Sequence, residues 1–471
     1  MNKKALFIFL LMMFALSSAL FAGGFALSGI GSKAIGLGGA FRGMADDPSS
    51  MYWNPAGLAS MDQSSITVAG AMITPTMDFT STGTLVPGFG LPGFQLNKKI
   101  TAEKKNWMFP NLFAIHANQN PLKYGIGVYV PYGLGATWDA FSLPTAMMYN
   151  DTLRTLKWAS GFPKNEMESS IGVVDIHPTI AYQVSDKVAV GAGVSVNYGM
   201  ITIAKLIPDT NASYYAPTTM YLKGTGWGVG GNVGVMWKPN PILSIGFAGK
   251  LPSSVQISGD AKIRTWLNNV VVYQTMHALD PVHYPHFSDQ IPGAVVGDTT
   301  DAKATMNLPG DVGLGLSLKA NDRWTINGDF AYTWWTVLSE VKIKMEPAAE
   351  IHTATGTVVI NERALETKWM DTYRFSLGTQ YQFNPVAVRL GFWYDLSPIP
   401  NKSLSPTWPD ISQKLSGNVG FGFKFGKFGL DLNGEYISFK ERTIKTQAAD
   451  NMMGTYNTSL VAGNFGLTYH F

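Results

Sequence analysis

The sequence predicts an all-β transmembrane barrel of about fourteen antiparallel strands, with an N-terminal hatch inside its lumen. Three observations carry this prediction. Only 14% of the 471 residues are charged while 12% are aromatic, apolar and polar residues alternate along many segments, and short connections alternate with long ones. A soluble domain usually has about a quarter of its residues charged. The low charge therefore points away from a surface that is solvated everywhere.

Residues 1–22 have the pattern of a secretory signal peptide. Lys3 and Lys4 supply the charged start, an apolar stretch follows, and small residues up to Ala22 offer cleavage sites. We expect the mature chain to begin near Gly23. A noncleaved anchor is the alternative, but about a dozen apolar residues are short for a membrane-spanning helix. Because the chain has no cysteine, neither a lipoprotein anchor nor a disulfide is expected.

Residues 23–62 precede the first strand and form the predicted hatch, and residues 63–471 form the predicted barrel. Asp47 and Asn54 are each followed by a proline, which fits a helix N-cap followed by proline at the first helical position. We therefore expect two short helical turns there. A barrel of about fourteen strands is too wide for its own side chains to fill, so its lumen must be plugged or conduct. The hatch is the predicted plug.

Alternation identifies the strands. In WTINGDFAYTW, for example, Trp324, Ile326 and Phe330 share one face while Asn327 and Asp329 share the other. Many such segments reach about ten residues, which is long enough to cross a bilayer at a tilt. The predicted strands are residues 64–75, 102–117, 123–134, 171–184, 188–203, 222–237, 242–257, 302–318, 324–341, 369–383, 386–395, 414–424, 428–439 and 457–471.

The connections between these strands alternate in length. Short turns are expected near residues 118, 185, 239, 320, 384 and 426. Long loops are expected near residues 77–101, 135–170, 204–221, 258–301, 342–368, 397–413 and 440–456. An even strand number, with short turns at one end and long loops at the other, is typical of outer-membrane barrels with both termini in the periplasm. A β-sandwich is the alternative, and strand length and loop rhythm argue against it.

Eight stretches spread along the mature chain carry a family resemblance. In order they are GLGGAF, ADDPSS, NPAGL, GVYVPYGLGATWD, GWGVGGNVGVMWKP, LPGDVGLGLSLKANDRWTINGDFAYTWW, DTYRFSLGTQYQ and FWYDLSPIPNKSLSPTWPD. The chain resembles the FadL/TodX family, outer-membrane transporters of long-chain fatty acids and aromatic hydrocarbons in Gram-negative bacteria. The resemblance implies a hatch that carries Asn54, Pro55 and Ala56, and we add Asp46 and Asp47 to that motif.

The resemblance also implies a route for the ligand. The ligand is captured outside, the hatch shifts, and the ligand leaves sideways through a gap made by an inward kink of the third strand. The sequence offers a local reason for that kink, because Pro131, Gly133 and Gly135 interrupt the strand that starts near Lys123. Proline cannot donate to the ladder and glycine marks bulges, so inter-strand bonding should fail there. The alternative is that the strand simply ends at Pro131.

Two long loops carry an unusual apolar load for segments outside the membrane. In the family the corresponding loops form an apolar groove that first meets the ligand, and flexible methionines suit ligands of varied shape. The alternative is that these residues only pack the loops on each other. The predicted capture residues are Trp138, Phe141, Leu143, Met147, Met148, Leu153, Leu156, Trp158, Phe162, Tyr214 and Tyr215.

Arg374, Arg389 and Asp395 are the polar candidates of the lumen. An arginine there could bind a ligand carboxylate, or it could join an ion-pair network. The acidic residues available for such a network are Asp329, Asp431 and Glu435. The basic residue that binds the carboxylate in the family has no clear counterpart here, since Arg363 and Lys368 are only nearby candidates. A neutral hydrocarbon therefore stands beside a fatty acid as the expected ligand.

Other functional classes are less well supported. His116 and His177 lie in strands without the recognisable serine and carboxamide of a barrel phospholipase, and the loop spacing of His277, His283 and His286 is weak for a metal. We expect no catalytic residue, metal or cofactor. The formal charge of +3 is too small to imply a nucleic-acid partner.

A general porin for hydrophilic solutes and a surface adhesin or phage receptor are the alternative functions. The expected partners are hydrophobic small molecules, outer-membrane lipid and, through the terminal strand that ends at Phe471, the barrel-assembly machinery. We expect a monomer in the outer membrane of a Gram-negative bacterium.

Overall fold

The fold is a closed barrel of fourteen antiparallel strands, as the sequence predicts. The computed structural model describes residues 24–82, 97–140, 148–150, 155–158, 165–208, 217–266, 294–295, 299–353, 356–448 and 451–471. The predicted signal peptide lies outside these residues. Within the described ranges, no helix has both the length and the apolar character needed to cross a bilayer.

The strands follow one another around the barrel in chain order. They are β1 (Ser65–Ser81), β2 (Trp107–His116), β3 (Leu122–Trp138), β4 (Met167–Ser185), β5 (Val188–Pro208), β6 (Pro217–Asn240), β7 (Leu243–Lys250 and Ser253–Trp266), β8 (Thr299–Leu308 and Asp311–Lys319), β9 (Trp324–Thr333 and Glu340–Thr353), β10 (Gly356–Glu366 and Thr372–Gln382), β11 (Val386–Asp395), β12 (Lys414–Phe425), β13 (Phe428–Phe439) and β14 (Gly454–His470). The two parts of β7, β8 and β9 pair with the same neighbouring strands.

Several short elements complete the description. Helix α1 spans Ser32–Gly36, helix α2 spans Ser50–Trp53, and 3₁₀-helices span Pro55–Ser60 and Trp335–Val337. The short strands are Lys99–Thr101, Met148–Asn150, Thr155–Trp158, Ala294–Val295 and Arg442–Ile444.

The barrel closes because β1 pairs with β14 along its whole length, from Ser65 opposite His470 to Ser81 opposite Gly454. Closure removes the free strand edges that hydrocarbon cannot solvate. Side chains alternate across the wall: Met108 is 75% exposed on the outer face, whereas the next residue, Phe109, is 8% exposed. An apolar outer surface of this kind suits lipid contact.

Several of the predicted long loops are wrong in extent, because the strands continue into them. Strand β7, for example, continues to Thr265 opposite Val295, where a loop was expected from 258 to 301. Strands β9 and β10 continue as a hairpin up to Thr353 opposite Gly356, where a loop was expected from 342 to 368. Strands β5 and β6 likewise continue to Pro208 opposite Pro217. The physical reason in the case of β9 is that apolar and charged residues keep alternating through Val341–Met345, so the strand pattern does not stop where the loop was expected.

The wall is not continuous between β2 and β3. Their last described pair is Leu112 with Val128. Beyond this pair, residues 107–111 of β2 pair only with β1 among the described strands. Residues 129–138 of β3 pair with β4, and the register of that pairing shifts between Tyr129 and Tyr132. Strand β3 therefore does not end at Pro131. We call the unpaired space between residues 107–111 and 129–138 the β2–β3 breach.

Residues 24–62, called here the N-terminal segment, lie inside the barrel. Ser28 bonds to Glu435 of β13, Arg42 bonds to Asp329 of β9, and Asn54 bonds to the carbonyl of Val235 on β6. Because these partners lie on different sides of the closed sheet, the segment crosses the lumen.

The predicted helical turns of this segment are present, with one correction. Asn54 caps the 3₁₀-helix that starts at Pro55, as expected. Helix α2 instead follows Ser49, and the Asp47 carboxylate accepts a hydrogen bond from the Ser49 N–H at 2.8 Å, so Asp47 closes a turn ahead of the helix rather than capping it.

Candidate functional site

Asn54 fastens the N-terminal segment to the barrel wall. Its side-chain oxygen accepts a hydrogen bond from the Ala56 N–H at 3.2 Å, while its amide nitrogen donates to the carbonyls of Arg42 at 3.0 Å and Val235 at 3.2 Å. The residue is fully buried. Gly234 makes room for it, because a Cβ there would lie 2.1 Å from the Asn54 side-chain oxygen. Every polar atom of the amide therefore has a partner.

Arg42 supplies a second fastening through buried charge. Its guanidinium bonds to Asp329 at 2.7 Å and to Asp311 at 2.8 Å, and its backbone N–H donates to Asp329 at 3.0 Å. Lys250 also approaches Asp311, at 3.5 Å. Burial lowers the pKa of Arg42, but the two carboxylates raise it more, so the guanidinium stays charged. The sequence reasoning named Asp329 but missed Arg42, because the segment has no strand pattern that would orient its side chains.

The lumen arginines bind protein groups in this state. Arg389 pairs with Asp431, which matches the ion-pair alternative. Arg374 donates to the carbonyls of Ser28 at 2.7 Å and Gly38 at 3.4 Å, and its guanidinium lies 4.4 Å from the centre of the Trp393 ring. Arg374 is therefore a third fastening for the N-terminal segment.

Asp395 and Glu435 have other partners. Asp395 lies 3.7 Å from the ammonium of Lys414. Glu435 accepts hydrogen bonds from Ser28 at 2.8 Å and from the Trp393 indole at 2.9 Å. Within the described residues neither carboxylate forms an ion pair with Arg374 or Arg389, but Glu435 and Arg374 share the partners Ser28 and Trp393.

The kinked part of β3 is bonded to the start of the N-terminal segment. Leu27 donates its N–H to the carbonyl of Pro131 at 3.1 Å, and Gly133 donates to the carbonyl of Phe25 at 3.2 Å. The Phe25 ring packs edge-on against Tyr132, with 5.5 Å between ring centres, and against Trp335 at 5.1 Å. The segment thus replaces β2 as the hydrogen-bonding neighbour of Pro131 and Gly133.

His177 lies in a polar cluster behind this kink. One ring nitrogen is 3.0 Å from the Ser195 hydroxyl and the other is 3.0 Å from the Asn232 side-chain oxygen. Sequence reasoning missed these partners because they lie on β5 and β6. Ser195 donates to Asp175 at 3.0 Å, so its hydroxyl is already engaged, and Asn232 donates to the Met51 carbonyl at 2.7 Å. The cluster links the wall to the N-terminal segment.

Of the remaining histidines and acidic residues named from the sequence, His116 and Asp46 lie in the described part of the chain. His116 is exposed and stacks near Tyr124, with 4.9 Å between ring centres. Asp46 is exposed and pairs with Lys33 at 2.8 Å. Within the described ranges no cluster of three acidic, histidine or cysteine side chains could hold a metal. His277, His283 and His286 lie outside the described residues.

Of the predicted capture residues, Trp138 is the one with a described side chain. It is 3% exposed, and its indole N–H donates to the carbonyl of Pro406 at 2.8 Å. Phe141, Leu143, Met147, Leu153, Phe162, Tyr214 and Tyr215, and the side chains of Met148, Leu156 and Trp158, lie outside what the structure describes.

The partner of Trp138 belongs to the loop of residues 396–413, which the sequence predicts as a long loop but not as a part of the site. Leu404 and Ile411 in this loop are buried, and Asp410 is 2% exposed and bonds to Lys414 at 2.8 Å. Burial raises the pKa of the Asp410 carboxyl to about 6, although the Lys414 ammonium lowers it. The signal that could have pointed to its packing is the set of single apolar residues spaced among its prolines: Leu396, Ile399, Leu404, Trp408 and Ile411.

Together these features define a class of protein: a β-barrel of the outer-membrane type whose lumen holds its own N-terminal segment. The chain belongs to the family described as outer membrane protein transport protein (OMPP1/FadL/TodX), whose model matches residues 13–471. The family membership predicted from the sequence is thereby confirmed.

Individual relatives agree with this assignment. The chain is 24% identical over 447 residues to the long-chain fatty acid transport protein of Escherichia coli O6:H1, covering 90% of this chain and 88% of the relative. Its fold is similar to that of a Pseudomonas aeruginosa FadL homologue, with a TM-score of 0.73 at 16% identity over 95% of this chain and 100% of the other. The P. putida toluene transporter TodX gives a TM-score of 0.69 at 16% identity, over 94% and 99%.

Proposed function

We propose that this chain takes up hydrophobic compounds passively, by capture at the outer loops, a shift of the N-terminal segment and lateral exit through the β2–β3 breach. The observation that carries the proposal is the breach itself, since it interrupts the wall beside a lumen that the N-terminal segment occupies. A ligand that reaches the breach can enter the bilayer without crossing the aqueous end of the barrel.

Part of the interior next to the breach is a cluster of buried apolar side chains that includes Phe109 and Val130, which supports this route. Buried side chains of the strands there include Ile171, Val173, Val255 and Ile257. Transfer of an apolar ligand into such surroundings is favourable by about 25 cal/mol for each Å² removed from water. A hydrated ion or sugar gains nothing comparable, which disfavours the porin alternative.

A movement of the N-terminal segment is part of the proposal because the space between it and the kinked part of β3 is small. Cavities of about 830 Å³ and 660 Å³ also touch the segment, but they lie at the short-turn end of the barrel, beside Asn384 and Asn240. A cavity of about 80 Å³ is lined by Leu27, Arg42, Tyr132 and Lys250. Small-molecule sites usually have about 300–1,000 Å³. A fatty acid or an aromatic hydrocarbon therefore passes only if the segment shifts, and Asn54, Arg42 and Arg374 are the fastenings it would release.

Membership of the family supports a proposed location and proposed partners. We infer export by a cleaved signal peptide and residence as a monomer in the outer membrane of a Gram-negative bacterium. Phe471 is 57% exposed, and Phe465 and Leu467 share the outer face of the last strand, a pattern suited to recognition by the barrel-assembly machinery. Fatty acids and neutral hydrocarbons are both candidate ligands, and a receptor role of the loops is compatible with either.

Uptake and conductance together test the proposal. Cells that lack their own transporters of this family would express the chain, and uptake of ¹⁴C-oleate and ¹⁴C-toluene would be compared with vector-only cells. We expect faster uptake of at least one compound, with small and unsteady ion currents from the purified protein in planar bilayers. Large steady currents without hydrophobic uptake would favour a porin and overturn the proposal.

A further inference from the structure

Two aromatic rings fill the β2–β3 breach. Trp107 and Phe109 lie on β2 beyond its last pair with β3, and both face inward, since the residue between them, Met108, is 75% exposed on the outer face. Phe109 is 8% exposed. The opening left by the missing backbone ladder is therefore occupied by side chains of β2.

The rings rest on glycines of the kinked strand. A Cβ at Gly133 would lie 2.4 Å from the Phe109 ring, and a Cβ at Gly135 would lie 2.8 Å from the Trp107 ring. Such distances are shorter than real Cβ contacts, so each ring sits directly on the backbone of β3. The glycines thus have a second role besides permitting the kink, because the absence of a side chain lets the two rings pack against the backbone of β3.

This closure differs physically from the rest of the wall. Elsewhere, neighbouring strands are joined by backbone hydrogen bonds, which cost a desolvation penalty to break in an apolar medium. Across the breach, packing of Trp107 and Phe109 replaces those bonds, and the buried indole N–H of Trp107 has no acceptor among the described residues. Once the N-terminal segment has shifted from Pro131 and Gly133, a rotation of these two side chains would open the breach without breaking a β2–β3 ladder.

We propose that Trp107 and Phe109 form an aromatic gate over the β2–β3 breach, and that the space their rings can vacate determines how bulky a hydrophobic ligand may leave. The inference rests on the lateral exit proposed above and adds its gating and specificity residues. Dispersion contacts between an apolar ligand and the rings replace those between the rings and Gly133 and Gly135, so passage exchanges one apolar contact for another.

Size selectivity is the first test. Initial rates of ¹⁴C-toluene and ¹⁴C-pyrene uptake would be measured for the wild type, Phe109→Ala, Phe109→Leu and the lipid-facing control Met108→Ala, after a heat-modifiability gel confirms assembly of each barrel. We expect Phe109→Ala to raise the pyrene-to-toluene ratio several-fold, Phe109→Leu to raise it less, and Met108→Ala to leave it unchanged. A merely structural role for Phe109 would lower both rates together and leave the ratio unchanged, which would overturn the gate.

A reversible cross-link across the breach is the second test. It applies even if Phe109→Ala assembles poorly. The chain has no cysteine, so Phe109→Cys with Gly133→Cys can be bridged selectively by a short bifunctional thiol reagent that contains a reducible disulfide. We expect bridging to abolish uptake and reduction to restore it, while each single cysteine variant is unaffected by the reagent.

The two tests separate failure of the gate from failure of the transport proposal. If the wild type takes up neither toluene nor pyrene faster than vector-only cells, the proposed function itself is wrong. If the wild type takes up both and Phe109→Ala leaves the pyrene-to-toluene ratio unchanged, the lateral exit stands and the gate is wrong. A bridged protein that is as active as the wild type would overturn the lateral exit together with the gate.

Discussion

Replacing Asn54 by alanine should loosen the N-terminal segment while leaving the barrel assembled. The change removes the hydrogen bond accepted from Ala56 and the two donated to Arg42 and Val235. Of these three bonds, the one to Val235 joins the segment to the wall, and the other two lie within the segment. A buried hydrogen bond contributes about 1 kcal/mol net, so docking should weaken by about 1 kcal/mol and the segment's own fold by about 2 kcal/mol. A docking loss of about 1 kcal/mol raises the undocked population about fivefold.

Asn54→Asp tests whether the two hydrogen bonds donated by the Asn54 amide matter. The aspartate keeps an oxygen that can cap Ala56, but it places its second oxygen against the carbonyls of Arg42 and Val235, where the amide donated before. Buried acceptors facing each other without a proton are costly. We therefore expect Asn54→Asp to weaken docking more than Asn54→Ala, although it is the closer match in size.

The assays are limited proteolysis of the N-terminal segment in detergent and single-channel conductance in planar bilayers. Asn118→Ala is the matched control, because Asn118 caps an exposed turn through the Asn120 N–H at 2.9 Å and does not contact the segment in any described hydrogen bond. We expect faster cleavage and larger currents for the two Asn54 variants only. Wild-type cleavage and conductance for both of them would refute the fastening role.

Three further predictions concern the charged groups. Arg42→Met should leave Asp329 and Asp311 buried without their guanidinium partner and lower barrel stability by about 3–5 kcal/mol, seen as a lower thermal midpoint by circular dichroism. Arg374→Met should free the segment at Ser28 and Gly38 and speed its proteolysis without a comparable loss of barrel stability. The pKa of Asp410 is about 6 in the folded state, above its ordinary value of 3.8. Folding therefore takes up a proton between pH 3.8 and about 6. The contribution of Asp410 to stability is largest at low pH and falls as the pH rises through about 6. Asp410→Asn should flatten that dependence in melts across this range.

The barrel could be predicted because its wall is governed by a local rule. Inward and outward positions alternate residue by residue, so segments such as Trp324–Thr333 of β9 identify themselves. Loop boundaries were harder to predict, since residues after Val341 continue the same alternation beyond the membrane and form a hairpin rather than a loop.

The structure of the lumen could be predicted only where a residue type indicates a particular backbone structure by itself. Asn54 with Pro55 reads as a cap and a first helical residue from the sequence alone, and Pro131 reads as a ladder defect. Arg42 of the N-terminal segment reaches Asp329 of β9, and His177 of β4 reaches Asn232 of β6, two strands along the sheet. No local pattern encodes such pairs, because the partners are distant in the sequence.

The aromatic gate has a similar explanation. Trp107 and Phe109 look like ordinary inward-facing strand residues in the sequence, and Gly133 and Gly135 look like sites of a bulge. Only the register of β2 against β3, which ends at Leu112 and Val128, brings the rings onto the glycines.

Uptake by a barrel whose third strand has been made regular tests the central claim most directly. Residues 131–135 would be replaced by alternating valine and threonine, so that β3 can pair with β2 beyond Leu112 and Val128, and assembly would be confirmed by heat-modifiability. The lateral-exit mechanism predicts that the rates of ¹⁴C-oleate and ¹⁴C-toluene uptake fall to those of vector-only cells. An assembled variant that takes up either compound as fast as the wild type would contradict it.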